Sequence, residues 1–284
     1  MSASVALALG ALVCFGLGDL VYKRAAAAGA QPHQFLMVQT WLFVPAVAVY
    51  AALTGTLRFV AASAWGAVAG LFMVVGFYNF ARSLRSGAVS INAPIFRLSF
   101  VLTAALAIAL LGERLTLFKS CGIALALLAA WLLLGARARR IEDAALLRSS
   151  LMQVLVATVS VGVGNFIYTL GLREGATAGS LVVAQSAVVS TLATVFAASV
   201  DRRIRPSIAA LRYAPLAGIV LAAAFVCLVE GMARGQASIV VPIAQMGFVV
   251  TALLGIAFLH EPFSARKAAG IAAAVGALGS LAHG

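Results

Sequence analysis

Apolar residues fill this chain in long blocks, with polar residues confined to short interruptions. Blocks of about twenty fall at 4–23, 34–54, 63–84, 89–111, 117–135, 151–172, 178–200, 211–233, 237–259 and 265–282. A helix of about 20 residues spans the ~30 Å hydrocarbon core of a bilayer. The pattern therefore predicts an all-α membrane protein with ten transmembrane helices. The first block, MSASVALALGALVCFGLGDL, has no basic residues ahead of it and is too long for a cleaved leader, so it reads as the first helix. The longest polar stretch is GARARRIEDAALLRSS, between the fifth and sixth blocks, which leaves almost no chain for a soluble domain.

Composition supports this class. The chain is 63% hydrophobic and 10% charged, with a mean hydropathy of +1.08. Soluble domains hold about 25% charged residues. The formal charge of +12 raises a nucleic-acid partner, but the basic residues sit at the ends of apolar blocks, where membrane loops face anionic lipid. Loops after the odd-numbered blocks carry fourteen lysines and arginines and the opposite loops five. That bias places the first set in the cytoplasm and both termini in the periplasm. Cys14, Cys121 and Cys227 lie inside apolar blocks, and the histidines are isolated, so neither a disulfide framework nor a metal site is expected.

The chain also repeats itself. The segment from Gly87, GAVSINAPIFRLSFVLTAALAIALLGERLTLFKSCGI, aligns without a gap to GQASIVVPIAQMGFVVTALLGIAFLHEPFSARKAAGI from Gly235. Pro94 matches Pro242, Thr103 matches Thr251, Glu113 matches Glu261 and Lys119 matches Lys267. FGLGDLVYK in the first block matches VGVGNFIYT in the sixth, pairing Asp19 with Asn165 and Tyr22 with Tyr168; Gln39 pairs with Gln185. The expected organisation is a first five-helix repeat at 1–136, a basic linker at 137–150 and a second repeat at 151–284. Five is odd, so the repeats enter the membrane in opposite directions. Inverted repeats are a recurring secondary-transporter architecture with a site near the midplane. A duplicated scaffold or receptor is the plainer alternative.

The stretch APIFRLSFVLTAALAIALLGERLTLFKSCG resembles the repeat signature of the drug/metabolite transporter superfamily, in its EamA-type families. A proline opens a helix, small residues follow, and a Gly-Glu-Arg turn precedes a basic residue and a glycine. The second copy departs from this with His260-Glu261-Pro262. The resemblance covers nearly the whole chain and is closest to bacterial aromatic amino-acid exporters. It implies an inner-membrane protein that exports aromatic amino acids by alternating access. Lipophilic drugs or cations are the competing cargo, and an uncoupled facilitator is the competing mode.

Polar residues inside membrane helices usually face the bundle interior. The candidates for solute binding are Gln39, Tyr78, Asn79, Arg97, Gln185 and Gln245, and for coupling or an ion pair Asp19 and Glu230. Position 97 is where the repeats diverge: arginine in one copy, glutamine at 245 in the other. Arg97 either pairs with Asp19 or Glu230, meets a solute carboxylate, or snorkels to the interface. Asp19 and Glu230 lie near helix ends, and an interfacial position explains them equally well. Tyr78 reads equally as an interface anchor or a packing residue, and Gln39 and Gln185 as interhelical glue. Glu113 and Glu261 read as structural, with Thr116 and Ser264 as helix N-caps. No nucleotide motif, cofactor or enzymatic constellation is found. The expected partners are a small-molecule solute and the lipid bilayer, with a monomeric chain.

Overall fold

The computed structural model describes residues 2–86, 92, 95–134, 144–259 and 264–283. Ser90, Pro94, Glu261 and the first half of the linker 137–150, residues 137–143, lie outside them. The described elements are all helical: α1 (Ala3–Ala27), α2 (Pro32–Leu53), α3 (Ala64–Ser86), α4 (Ser99–Leu111), α5 (Leu117–Leu134), α6 (Ala144–Arg173), α7 (Ala178–Asp201), α8 (Ile208–Arg234), α9 (Ala237–Gln245), α10 (Gly247–Leu259) and α11 (Ala265–His283), plus a 3-10 turn at Ala61–Ser63. Helix starts follow their local chemistry. The side chains of Ser2, Thr177 and Ser207 accept from the amides of Val5, Ser180 and Ala210, which satisfies one of the N–H groups left without an intrahelical partner at the first turn of each of α1, α7 and α8. Pro32 opens α2, where its missing N–H costs nothing.

Seven stretches among the described residues are long and apolar enough to cross a membrane: α1, α2, α3 with its leading turn, α6, α7, α8 and the span from Ala237 to Leu254. Residues 95–111 and 117–133 form shorter apolar helices. Large apolar side chains such as Val49, Leu110, Trp131, Val195 and Val275 are exposed, whereas Gln39, Arg97, Asn165, Gln185 and Gln245 are buried. This inside-out polarity suits a lipid surround, in which backbone and polar groups must be satisfied internally.

The block at 237–259 is one run in the sequence but two helices in space. Pro242 lacks an N–H and crowds the preceding turn. Just beyond it, Met246 N bonds Ile243 O at 3.1 Å and Val249 N bonds Met246 O at 2.9 Å, three-residue closures in place of four. The first copy has the same break: Leu98 N bonds Ile95 O at 3.1 Å and Val101 N bonds Leu98 O at 2.9 Å. Arg97 and Gln245 are thus each the last helical residue before an interruption.

The interfaces also come in exchanged pairs. Helix α1 lies along α8, as α6 lies along α3; α2 packs on α8, as α7 packs on α3; α1 meets α9 and α10, as α6 meets α4. The α2–α7 and α5–α11 contacts close the set. Close approach makes two of these crossings specific. A Cβ on Gly16 would stand 2.5 Å from Gly247 O, and one on Gly162 would stand 2.9 Å from Ser99 O. The hydroxyls of Thr251 and Thr103 fasten these crossings, donating to Gly16 O at 3.1 Å and to Gly162 O at 2.9 Å. Helices in lipid gain little from apolar burial alone, so small residues and interhelical bonds of this kind hold them together.

Gly16→Ala should therefore lower the apparent Tm of the detergent-purified protein, by an overpacking cost of about 1–3 kcal/mol. Gly279→Ala, with nothing within 4 Å of the added carbon, should leave the Tm unchanged or raise it. Equal Tm values for both variants would show that the α1–α10 crossing is not tightly packed.

Candidate functional site

Arg97 ends the short helical piece that precedes α4, and the break at Leu98 turns it toward α1 and α9. Its Nη2 donates to Asp19 Oδ1 in a close ion pair. Its Nη1 donates to Gln245 Oε1 at 2.8 Å. The guanidinium carbon lies 5.2 Å from the ring centre of Phe15 and 5.5 Å from that of Phe96, within cation–π range. Nε has no hydrogen-bond partner. Arg97 is 3% exposed, so it does not snorkel to an interface. Of its two prospective carboxylates, Asp19 is the partner. Glu230 is held instead by Arg234, one turn along α8, and accepts from Tyr50 Oη at 3.2 Å.

The ion pair borders a small central cavity of about 20 Å³, room for little more than one water. Half of its lining residues are aromatic: Phe15, Tyr22, Phe77, Phe80, Phe96 and Phe225. Phe80 and Phe96 stack at 4.0 Å, and Phe225 meets Phe15, Phe43 and Phe77 edge-on at 5.7, 5.8 and 6.0 Å. Helix α1 supplies Asp19 and Tyr22, α3 supplies Phe77 and Phe80 on one face, and α9 supplies Gln245. A planar cation with one bound carboxylate sits in an aromatic chamber.

The remaining sequence candidates divide. Gln39 accepts from Tyr22 Oη, so it braces a cavity residue from behind. Gln185 accepts from Tyr168 Oη at 2.7 Å in the matching place of the second half, outside the cavity wall. Tyr78 and Asn79 do not reach the cavity: Tyr78 packs edge-on against Phe196 at 4.9 Å, and Asn79 Nδ2 bonds back to Val75 O at 2.8 Å. Helical spacing explains this, since residues 77 and 80 share a face that 78 and 79 cannot join. Asn165, the counterpart of Asp19, is 0% exposed, and neither of its amide atoms has a partner.

A second, larger cavity of about 570 Å³ lies where α4, α6 and α8 end, bounded by Glu113, Arg114, Thr169, Arg173, Met232 and Gln236. Glu113 is structural, as its sequence context implies, but it serves a different helix. Its carboxylate oxygens accept from the amides of Ala237 at 3.0 Å and Ser238 at 2.9 Å. Helix α9 has no side-chain cap of its own at Gln236, and Glu113 of the other half supplies the acceptor. Thr116 and Ser264 do cap the helices that follow them, accepting from Lys119 N at 3.2 Å and Lys267 N at 3.3 Å. Lys119 is fully buried, and its Nζ donates to Arg114 O at 2.8 Å and to Gln236 Oε1. Its signals in the sequence are the pairing with Lys267 in the repeat and its place after the Gly-Glu-Arg turn.

A family model described as the EamA-like transporter family matches this chain twice, over residues 2–135 and 148–281. The chain belongs to the EamA-like transporter family. As an EamA-like protein it is a multi-pass membrane transporter of the drug/metabolite transporter superfamily, a family that moves solutes. No functionally curated protein matches it. A solved crystal structure shares the fold of this EamA-like chain with a TM-score of 0.78 at 21% sequence identity, covering 99% of this chain and 96% of that one. One EamA match contains Arg97 and the other Gln245, the two residues that the repeat alignment pairs.

Removing the Glu113 carboxylate should loosen the start of α9. Glu113→Ala is expected to cost roughly 1.5–3 kcal/mol, the range for hydrogen bonds to a buried charge, read as a lower apparent Tm. Glu113→Gln, which keeps one acceptor, should fall between. An unchanged Tm for Glu113→Ala would remove the capping role.

Proposed function

We propose that this transporter exports small metabolites bearing an aromatic group and a carboxylate, aromatic amino acids above all, across a bacterial inner membrane. The chain would cross ten times as two inverted five-helix repeats, act as a monomer and expose the central chamber alternately to each side. Both termini would lie in the periplasm, as the loop charges favour. One observation carries the reading: Arg97, a bidentate carboxylate binder by shape, stands in a chamber walled by six aromatic side chains with Gln245 beside it. Aromatic faces suit an aromatic side chain, and the guanidinium suits an α-carboxylate. In the closed arrangement Asp19 holds that carboxylate position, and an arriving solute takes its place.

Asp19 favours a second reading. A carboxylate among aromatic rings also suits a lipophilic cation, with Arg97 as its resting counter-ion. The two readings differ in what the solute must carry. Proteoliposomes loaded with phenylalanine, tyrosine or tryptophan should release them, and their decarboxylated amines should leave more slowly. Arg97→Gln, tested alone and with Asp19→Asn to avoid an unpaired buried carboxylate, should cut amino-acid flux by about 10- to 100-fold, the equivalent of losing a charge-assisted hydrogen bond. It should change amine flux far less. Faster movement of the amines than of the amino acids in wild type would favour the cation reading, and equal loss of both in the variants would reduce Arg97 to a structural role.

A further inference from the structure

The small central cavity and the larger one beside Glu113 share three helices. Along α6, Val161 lines the first, and Thr169 and Leu172 line the second. Val161, Asn165, Thr169 and Leu172 recur at helical spacing, so one face of α6 runs from cavity to cavity. Val161 and Thr169 stand eight residues apart, about 12 Å along the axis. On α8, Phe225 lines the central cavity and Met232, two turns on, lines the outer one. On α9, Gln245 lines the central cavity, and Gln236, the residue before its first turn, lines the outer one. Ser238 shares the face of Gln245 and lies between these two glutamines.

Between the cavities the fold leaves polar groups unanswered. Among the described residues, six have a buried side-chain nitrogen or oxygen without a hydrogen-bond partner, and five of them are Arg97, Ser99, Asn165, Thr169 and Ser238. The sixth, Gln153, lies toward the start of α6. Helices α4, α6 and α9 touch one another, so the five gather along one seam. Arg97 borders the central cavity at its inner end, and Thr169, 7% exposed, opens on the outer one. Such groups are costly in a membrane bundle unless water or a solute reaches them. The outer cavity of about 570 Å³ falls within the range of ~300–1,000 Å³ that small-molecule sites occupy. Arg114 and Arg173 line it as cations. Its one lining acid, Glu113, has both oxygens committed to the amides of Ala237 and Ser238.

We infer that the outer cavity is a release site for the carboxylate-bearing solute, with Arg114 and Arg173 holding the carboxylate, and that the seam through Asn165, Ser238 and Thr169 is its passage from Arg97. The inference rests on the proposed solute class and adds where that solute leaves. The amide of Asn165 and the hydroxyls of Ser238 and Thr169 offer donors and acceptors to the polar head as it passes, with no charge to trap it. On the proposed orientation this is the periplasmic end. The layer of about 12 Å between the cavities is then the outer gate, shut in this arrangement and wetted when it opens.

Cysteine labelling of the full-length protein in proteoliposomes reads the passage. Two membrane-impermeant methanethiosulfonates serve, one carrying a sulfonate and one a quaternary ammonium. Mass spectrometry locates the modification apart from the native Cys14, Cys121 and Cys227. Thr169→Cys and Ser238→Cys are close to isosteric and break no hydrogen bond of the native hydroxyl. Both, with Asn165→Cys, should react roughly tenfold faster than Ala187→Cys, an exposed position at comparable depth on α7 whose thiol would face hydrocarbon. At Thr169→Cys the sulfonate reagent should be favoured, relative to the same two reagents with free cysteine, and Arg114→Gln with Arg173→Gln should cut that preference about tenfold. L-Phenylalanine should slow modification of Asn165→Cys. Reaction of Asn165→Cys and Ser238→Cys no faster than that of Ala187→Cys overturns the passage; Ser238→Cys decides alone where Asn165→Cys does not fold. A reagent preference unmoved by the arginine substitutions overturns the carboxylate role of the outer cavity. The expected labelling without protection by any aromatic amino acid overturns the proposed solute class and leaves the passage and its anion site standing.

Discussion

A guanidinium inside a membrane bundle has to be answered by an acceptor, and this chain has few acids to spare. It contains eight Asp and Glu residues against twenty Lys and Arg. Of the acids considered within its apolar blocks, Glu230 is held at the end of α8 by Arg234, which leaves Asp19 for Arg97. That requirement fixes much of the centre. It brings α1 against the break before α4, brings Gln245 to the remaining Nη atom, and makes the adjoining walls aromatic and ion-free. An ion pair so placed gains from low dielectric and pays for desolvation, so its net worth to stability is small, while separating its partners is costly. Parting the two charges without a replacement partner for either is disfavoured.

The duplicated architecture separates scaffold from task. Features that occur twice are packing devices: the glycine crossings of Gly16 and Gly162, the threonine bonds of Thr251 and Thr103, the tyrosine–glutamine pairs and the breaks at Leu98 and Met246. Each is satisfied locally by its partner, and a two-fold exchange carries one onto the other. Features that occur once gather at a single place. Arg97 and Asp19 are charged where Gln245 and Asn165 are neutral, and they meet each other while Asn165 is left without a hydrogen bond. An ion pair at positions where the other half carries neutral side chains gives the chamber an asymmetry that the scaffold lacks.

Much of this was legible in the sequence, because membrane helices and gapless repeats write themselves into hydropathy and spacing. The helical blocks, the matching of Pro94 with Pro242 and the singling-out of Arg97 required no coordinates. The partner of Arg97 was narrowed to two acids but not chosen, since the choice depends on which helix faces the break at Leu98. Tyr78 and Asn79 were named as binding candidates on polarity, which does not report helix face; Phe77 and Phe80, one residue either side of them, line the wall of the small cavity. Glu113 was recognised as structural but assigned to its own neighbourhood, when its bonds reach α9 of the other half. Contacts of that range depend on tertiary packing, which a turn motif does not encode.

The central claim is that the guanidinium of Arg97 changes partner, from Asp19 in the closed chamber to the carboxylate of the solute. A cryo-electron microscopy or crystal structure with L-phenylalanine bound tests it most directly. The account predicts the solute carboxylate within hydrogen-bond distance of Arg97, its ring against Phe77, Phe96 or Phe225, and Asp19 released from the guanidinium. A bound solute elsewhere, with the Asp19–Arg97 pair still closed, would contradict it.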